Sequence, residues 1–278
     1  PGWAPPSAAP ASAAAVADAG HVRMSGLEFD EETSRRVEET YLTPDVLWQR
    51  RIVREALALR PGERVLDIGS GPGFLTSEMA DEVGPDGTVC GVDPAPSMLA
   101  IAAARSGPAV EYRQAGADRI PYQDGTFDAV VSTQVFEYLP DVPGALAEVR
   151  RVLRSGGRLV LVDTDWDSIV WRSPDDALTD RVLTAFEQHL ADARLPRKLP
   201  AALVAAGFRD VRTSVVPMLN VGYSPTTYSA GLLDLVSAFV VGRDGLTPAE
   251  VAGWADGQRS LGADYFFSLN RYLFVATG

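Results

Sequence analysis

The sequence predicts an α/β chain built on a mostly parallel sheet with helices on both faces. Three observations predict it. From Arg64 to Trp166 short apolar runs alternate with helical patterns, the rhythm of strand, crossover helix and parallel strand. The runs are apolar almost throughout rather than at every second position, as in strands covered on both faces. The first run leads into "GSGPG" at residues 69–73, a turn whose glycines let backbone and ligand approach closely at the carboxyl end of a strand.

The elements follow in chain order. Residues 1–25 are dominated by Ala and Pro and read as a disordered tail; it contains His21 and lacks the basic-then-apolar order of a secretory signal. Residues 26–60 carry two helical patterns. The second sets Val46, Leu47, Ile52, Val53, Ala56, Leu57 and Leu59 on one face and is stopped by Arg60-Pro61-Gly62. The remainder, 61–278, reads as one domain. "RVLDIG" is its first strand, "FLTSEMADEV" a helix ended by "GPDG", and "TVCGVD" the second strand. The helix "APSMLAIAAARS" and a third strand at "VEYRQAG" come next, then a fourth strand at "FDAVVSTQVF". The helix "VPGALAEVRRVL" is expected to stop at Gly156-Gly157, before a fifth strand at "RLVLVDTDW". A helix stopped at Gly207 and a sixth strand are read from "LPAALVAAGFRDVRTSVVPML", and the last strand from "YFFSLNRYLFVATG". Between these two strands, at about 222–262, lies an insertion with two helical patterns. Its "LLDLVSAFVV" is apolar enough to line an organic pocket.

Charge narrows the partners. The 278 residues hold 25 Lys+Arg against 37 Asp+Glu, a net charge of -12, which repels the phosphates of nucleic acid and the anionic membrane surface. No apolar run approaches the roughly 20 residues of a bilayer-spanning helix. The single cysteine, Cys90, excludes an internal disulfide and a Cys-rich zinc site and sits in a strand-like apolar run, so it reads as a buried core thiol. The expectation is a cytoplasmic monomer or homodimer acting on a small molecule.

The glycine turn is compatible with two cofactor classes. A nicotinamide-binding turn reads G-x-G-x-x-G, and counting from Gly69 its third glycine falls on Phe74, which weakens the dinucleotide reading. Asp93 ends the second strand, where a carboxylate accepts both hydroxyls of a ribose; its competing role is to cap the following helix. Asp118, after the third strand, suits an exocyclic adenine amine, with a simple turn as the competing reading.

Four stretches in order, "VLDIGSGPG", "GVDPAPSML", "AGADRIPYQDGTFDAVVSTQVFEYLPD" and "ALAEVRRVLRSGGRLVLVD", resemble the motifs of class I S-adenosylmethionine-dependent methyltransferases, especially the quinone-biosynthesis-type C-methyltransferases. The resemblance runs from Leu42 to Asp163. It implies a Rossmann-like seven-stranded sheet with an antiparallel last strand, and S-adenosylmethionine as cofactor, leaving as S-adenosylhomocysteine. By resemblance, Gly69, Ser70, Gly71 and Gly73 hold the methionine part, Asp93 and Pro94 lie at the ribose, and Met98, Ala117 and Asp118 at the adenine. Thr133 or Gln134 meets the amino end. "TYLTPDVLWQRR" resembles the family's N-terminal lid, which makes Tyr41 and Gln49 contacts for the cofactor's carboxylate.

Methyl transfer asks mainly that the acceptor be aligned and desolvated, so candidates for further chemistry are few. Asp163, Asp165 and Asp167 alternate around Thr164 and Trp166 at the end of the fifth strand, and Asp165 is the candidate base there. Glu137 and Tyr138 follow the fourth strand, Glu137 as a catalytic candidate with a solvent-facing acid at a helix start as the competing reading, and His189 lies in a helical stretch as a candidate base, with a lone, partly exposed histidine as the competing reading. Tyr138, Trp166 and Asp163 are the expected substrate contacts. No set of oxygen ligands from separate segments marks a metal site, and the [DN]-P-P-[YF] motif of base-modifying enzymes is absent after the fourth strand. The expected activity is methylation of a small organic metabolite at carbon, oxygen or nitrogen. The alternative is a protein that uses the cofactor structurally, as a binding module or a cyclisation catalyst.

Overall fold

The computed structural model describes residues 40–278. The Ala/Pro-rich tail and the first N-terminal helical pattern lie outside the described residues. Seven strands form one sheet: β1 (Arg64–Ile68), β2 (Thr88–Asp93), β3 (Val110–Gln114), β4 (Phe127–Thr133), β5 (Leu153–Trp171), β6 (Arg209–Val221) and β7 (Phe266–Thr277). Their order is β3-β2-β1-β4-β5-β7-β6. The first five are parallel to their neighbours, and β7 runs antiparallel to both β5 and β6. The chain leaves β1 toward β3 and later returns to β4 on the other side. The gap between the carboxyl ends of β1 and β4 is therefore the topological switch point, where open α/β sheets receive ligands.

Helices cover both faces because the strands are apolar on both. On one face α1 (Pro44–Leu57) and α2 (Phe74–Val83) pack Val53, Leu57, Leu75 and Met79 against Val65, Val131 and Val162. On the other, α4 (Val142–Val152) and α6 (Leu199–Ala205) pack Leu146, Val149 and Leu203 against Leu66, Val130 and Leu161, whereas α3 (Pro96–Ser106) lies along β2 and β3 on the same face as α2, with Ala102 and Tyr112 against Gly73. A third core stands beyond the strand ends. There α5 (Asp176–Phe186), α7 (Tyr228–Val240) and α8 (Pro248–Ser260) enclose Trp166, Trp171, Trp254 and Phe267. The helices α4, α5 and α8 each have a local reason to start. Asp141 accepts the Gly144 N–H at 2.9 Å, Asp175 the Leu178 N–H at 3.0 Å, and Thr247 forms a reciprocal capping box with Glu250.

Three sequence expectations are corrected. Helix α1 ends at Leu57, where Ala58 turns left-handed, so Leu59 is not on it; Leu47 is exposed, and the buried stripe is Val46, Gln49, Arg50, Val53 and Leu57. Two polar residues hold core positions because each has partners there: Gln49 accepts from Arg271, and Arg50 donates to Glu78 and to the Tyr41 carbonyl. Helix α4 ends at Val152, before Gly156-Gly157. Those glycines lie in the start of β5, where the Gly156 N–H and the Gly157 carbonyl bond to Gly278. β5 also continues past Trp166 to Trp171, bulging against β7 between Asp165 and Val170.

Candidate active site

A cavity of about 830 Å³ opens over the switch point and runs from the ends of β2 and β3 toward α5 and α7. It is within the size range of small-molecule sites. At its first end stand Gly69, Gly71, Asp93, Met98, Ala117 and Asp118. Asp93 is the anchor. Its buried carboxylate accepts the Gly71 N–H at 2.9 Å and the Ala95 N–H at 2.8 Å, which fixes it between the glycine turn and α3 while each oxygen keeps a lone pair. Burial pushes its pKa up, and the two N–H groups pull it back. The competing reading of Asp93 as the cap of the following helix is corrected: the N-cap position is Ala95 and no side chain caps the helix, so the Asp93 carboxylate orders the turn before it.

The glycine turn divides its work. Only at Gly71 does the space above the missing Cβ look onto the cavity, with the Tyr41 hydroxyl 3.6 Å from where that atom would be. At Gly69 a Cβ would strike the Val135 side chain; at Gly73 it would come within 2.7 Å of Ala102 and of the Tyr112 hydroxyl. All three have positive φ, so backbone and packing both demand glycine. Gly69 also lines the cavity, Gly73 does not, and Ser70 turns its buried hydroxyl toward Gly91 of β2. Ser70 and Gly73, placed by resemblance at the methionine part of the cofactor, thus do not line the cavity themselves and shape the turn that does. Phe74, in the place of a third dinucleotide glycine, stacks on Tyr41 at 5.7 Å and carries the Arg105 guanidinium 3.4 Å above its ring.

Above β4, Thr133, Gln134 and Tyr138 line the cavity. Gln134 adopts a positive φ of 57°, uncommon for a residue with a Cβ; its N–H bonds to the Val162 carbonyl at 2.6 Å and its amide donates to Thr164 Oγ1 at 3.3 Å. Pro94 and Tyr41 complete this wall.

The far end is aromatic. Trp166, Phe186, His189 and Tyr228 line it, and the His189 ring lies 4.0 Å from Phe186, 5.3 Å from Trp166 and 5.8 Å from Tyr138. The bulge in β5 turns Trp166 inward, its backbone N–H bonded to the Ala193 carbonyl at 3.0 Å. His189 is 1 % exposed, which overturns the expectation of a partly exposed histidine, and it ends a 3-10 turn following α5. Its Nδ1 bonds to the Phe186 carbonyl, an acceptor only, so Nδ1 bears the proton and Nε2 has the lone pair. Burial lowers its pKa to about 4, against the opposing pull of that carbonyl. At neutral pH it is an uncharged acceptor in the cavity wall.

The acidic candidates lie elsewhere. Alternation along β5 puts Asp163, Asp165 and Asp167 on the face opposite the cavity. Asp165 is held by both arms of Arg197, at 2.7 and 2.9 Å, and Asp167 by Arg194 at 2.6 Å. The proposed base is therefore a structural ion pair, and neither Asp163 nor Asp165 lines the cavity. Asp163 and Glu137 are buried beneath it. The Glu137 backbone N–H donates to Asp163 at 3.2 Å, and the Glu137 carboxylate accepts the Thr164 N–H at 2.7 Å. Burial raises Glu137 to about 7, opposed by the Thr164 N–H and the charge of Arg271; Asp163 is raised well above the usual carboxylate range by burial and then by Glu137. Glu137 is thus neither solvent-facing nor a cavity residue; it braces the loop that carries Tyr138. Gln49 is also behind the wall, its Oε1 accepting from Arg271 Nη1.

Sequence reasoning missed Arg271, Tyr228 and Asp67. Arg271 had a signal: it occupies the inward phase of β7 with Phe267, Leu269 and Leu273, a charge where an apolar residue is expected. Tyr228 had none within an apolar helix. Asp67, inside the first strand, is raised well above the usual range by burial and then by Asp93. Among the described residues no cluster of His, Cys, Asp and Glu could hold a metal ion, and no helix is long and apolar enough to cross a membrane.

Comparison with known proteins agrees with this geometry. Residues 66–161 match the methyltransferase domain family. The chain is 34% identical over 209 residues to an uncharacterized 37.1 kDa protein in transposon TN4556 of Streptomyces fradiae, covering 72% of this chain and 59% of that protein. It is 42% identical over 122 residues to demethylmenaquinone methyltransferase of Thermus thermophilus, covering 43% of this chain and 54% of that protein. The chain thus spans little more than half the length of these relatives. Among solved structures, phosphoethanolamine N-methyltransferase 2 of Haemonchus contortus in complex with S-adenosyl-L-methionine superposes with a TM-score of 0.59 at 18% identity, over 89% of this chain and 57% of that one. That likeness is one of fold.

Proposed function

We propose that this chain, which carries a class I methyltransferase domain, transfers a methyl group from S-adenosylmethionine to a small organic acceptor held in the aromatic end of the cavity. One observation carries the reading. The Asp93 carboxylate, moored by the Gly71 and Ala95 N–H groups, faces a cavity that continues into the aromatic end, so donor and acceptor fit side by side. The residues suit the donor: Asp93 for the ribose hydroxyls, Met98, Ala117 and Asp118 around the adenine, and the Gly69–Gly71 turn with Tyr41, Thr133 and Gln134 for the methionine end. When bound, S-adenosylmethionine supplies an electrophilic methyl group on a sulfonium.

The chain's own work is positioning. Tyr138, Trp166 and Phe186 exclude water and align the acceptor. His189, neutral with Nε2 unprotonated, accepts the hydrogen of an acceptor hydroxyl or amine. Helix α1 with Thr40–Thr43, and the helices of 222–262, close over the cavity as lids; of these, Tyr41, Tyr223 and Tyr228 line it. The acceptor class is aromatic or apolar, matching that lining.

The test is a mass-shift screen of candidate metabolites with isotopically labelled S-adenosylmethionine, preceded by calorimetry. Tight binding followed by S-adenosylhomocysteine release with one acceptor supports the reading; no binding of S-adenosylmethionine by the folded protein sinks it.

A further inference from the structure

We propose that Arg271 is an oxyanion-recognition residue at the acceptor end of the cavity, so that the methyl acceptor carries a carboxylate or phosphate group. This rests on the methyl-transfer reading above. Arg271 is 1 % exposed, lines the cavity and sits on β7 among apolar residues of the same phase. Its guanidinium lies 4.6 Å over the Tyr228 ring, and Nη1 donates to Gln49 Oε1. Its buried Nε has no hydrogen-bond partner. The other buried arginine among the described residues, Arg50, is matched to an acid, holding Glu78 at 2.9 Å, and the partly buried Arg158 holds Glu63 at 2.5 Å. Among the described residues Arg271 forms no such pair. Glu137 feels its charge but makes no ion pair with it and is already bonded to the Thr164 N–H.

A buried charge without a counter-charge is costly, several kcal/mol per ion in real proteins, and a planar guanidinium is the group best shaped for a bidentate oxyanion. With Nη1 spent on Gln49, the side left is Nε with Nη2. Gln49 is therefore a positioning residue: a neutral acceptor that sets the plane of the guanidinium without neutralising it.

Place in the sheet selects the source of the anion. The glycine turn follows β1, and β4 and β5 stand between β1 and β7, so the two backbones are three strand spacings or roughly 14 Å apart, a gap that the long side chains narrow, since the Tyr41 hydroxyl feels the Arg271 charge. The Tyr41 hydroxyl already stands over Gly71 at the methionine end. Arg271 pairs across the sheet with Thr164, two residues before Trp166, and shares the wall with Tyr228 of α7. An oxyanion held there belongs to the molecule in the aromatic end.

The test uses the full chain saturated with S-adenosylhomocysteine and three probes of one shape: 4-hydroxybenzoate, 4-hydroxyphenyl phosphate and the neutral 4-hydroxybenzamide. The expected result is that at least one acid binds about tenfold or more tighter than the amide, as a charge-assisted contact implies, and which acid does so tells carboxylate from phosphate. Arg271→Gln is expected to erase the preference. Gln49→Glu, which sets a carboxylate against Nη1 and leaves the arginine in place, is expected to erase it too, and decides the matter where Arg271→Gln fails to fold. Equal binding of acids and amide by the wild-type protein overturns the proposal. So does an Arg271→Gln protein that loses S-adenosylhomocysteine but keeps 5′-methylthioadenosine, which lacks the carboxylate; that result assigns Arg271 to the cofactor. Failure of the wild-type protein to bind S-adenosylhomocysteine would instead remove the methyl-transfer reading itself.

Discussion

The two ends of the cavity are built by different means. At the β1–β3 end the polar contacts come from backbone and from residues close in sequence: Asp93 is moored by N–H groups of a turn 22 residues away and of a residue two positions on. At the β5–β7 end the wall is made of side chains brought together from distant segments, with Gln49 and Arg271 separated by 222 residues, and Trp166, His189 and Tyr228 drawn from three elements. A cofactor site can thus be written in short motifs because the main chain does the binding. An acceptor site is written in tertiary contacts and changes freely on the same sheet.

That difference predicts how each end responds to damage, and the largest effect belongs to the first. Asp93→Ala removes the ribose contact and frees the Gly71 N–H, and is expected to weaken S-adenosylhomocysteine binding by about 1 to 3 kcal/mol, while Trp166→Ala leaves it little changed. Calorimetry of the two variants checks this. Equal losses in both would mean that the ends are energetically one site.

What could be read from the sequence follows the same division. The strands β1, β2 and β4 and the helix Phe74–Val83 begin where the sequence predicts, because apolar runs and glycine stops are local signals. Asp93, Met98, Ala117 and Asp118 all line the cavity for the same reason. The aspartates of β5 misled because their spacing was plain while their facing was not: a strand's period of two fixes that they share a face but not which one. Arg271 escaped because its importance lies in lacking an acid partner, which only the folded neighbours reveal. His189 was read as partly exposed because the aromatic rings that bury it, Trp166 and Phe239, come from either side of it in sequence, the latter 50 residues away.

The aromatic end also has a signature in pH. The His189 pKa falls from 6.5 to about 4 on folding, so between those values the unfolded chain binds a proton that the folded one refuses, and stability drops as pH falls through the window. Glu137, raised from 4.5 to about 7, acts in the opposite sense, losing stability as pH rises through its own window. The two partly cancel in the wild-type profile. Comparison with His189→Gln separates them: between about pH 7 and pH 5 the wild-type protein is expected to lose about 2 kcal/mol relative to the variant. Denaturant unfolding at both pH values checks this, and parallel profiles would mean that the imidazole titrates normally and is not buried in the aromatic wall.

The smallest expected effect is at Asp165, and it tests whether the boundary between the two ends lies where β5 alternates. Asp165 is buried, but its partner Arg197 is half-exposed, with side-chain exposures of 6% and 50%, so solvent screens the pair and limits its worth to about 1 kcal/mol. Asp165→Asn keeps the shape and one acceptor oxygen while removing the charge. The expected outcome is a modest fall in Tm that shrinks at about 1 M salt, where ion pairs are screened over a few ångströms, with cofactor affinity and turnover unchanged. A fall in turnover at constant stability would mean that the carboxylate turns toward the cavity in the working complex. Since Asp165 and Trp166 are adjacent, that would require the β5 bulge to reverse its facing, and Trp166 would leave the wall as Asp165 entered it. Tryptophan fluorescence on adding S-adenosylhomocysteine and an aromatic acid reads that reversal directly; in the geometry described here, Trp166 stays buried against His189 and Asp165 stays with Arg197.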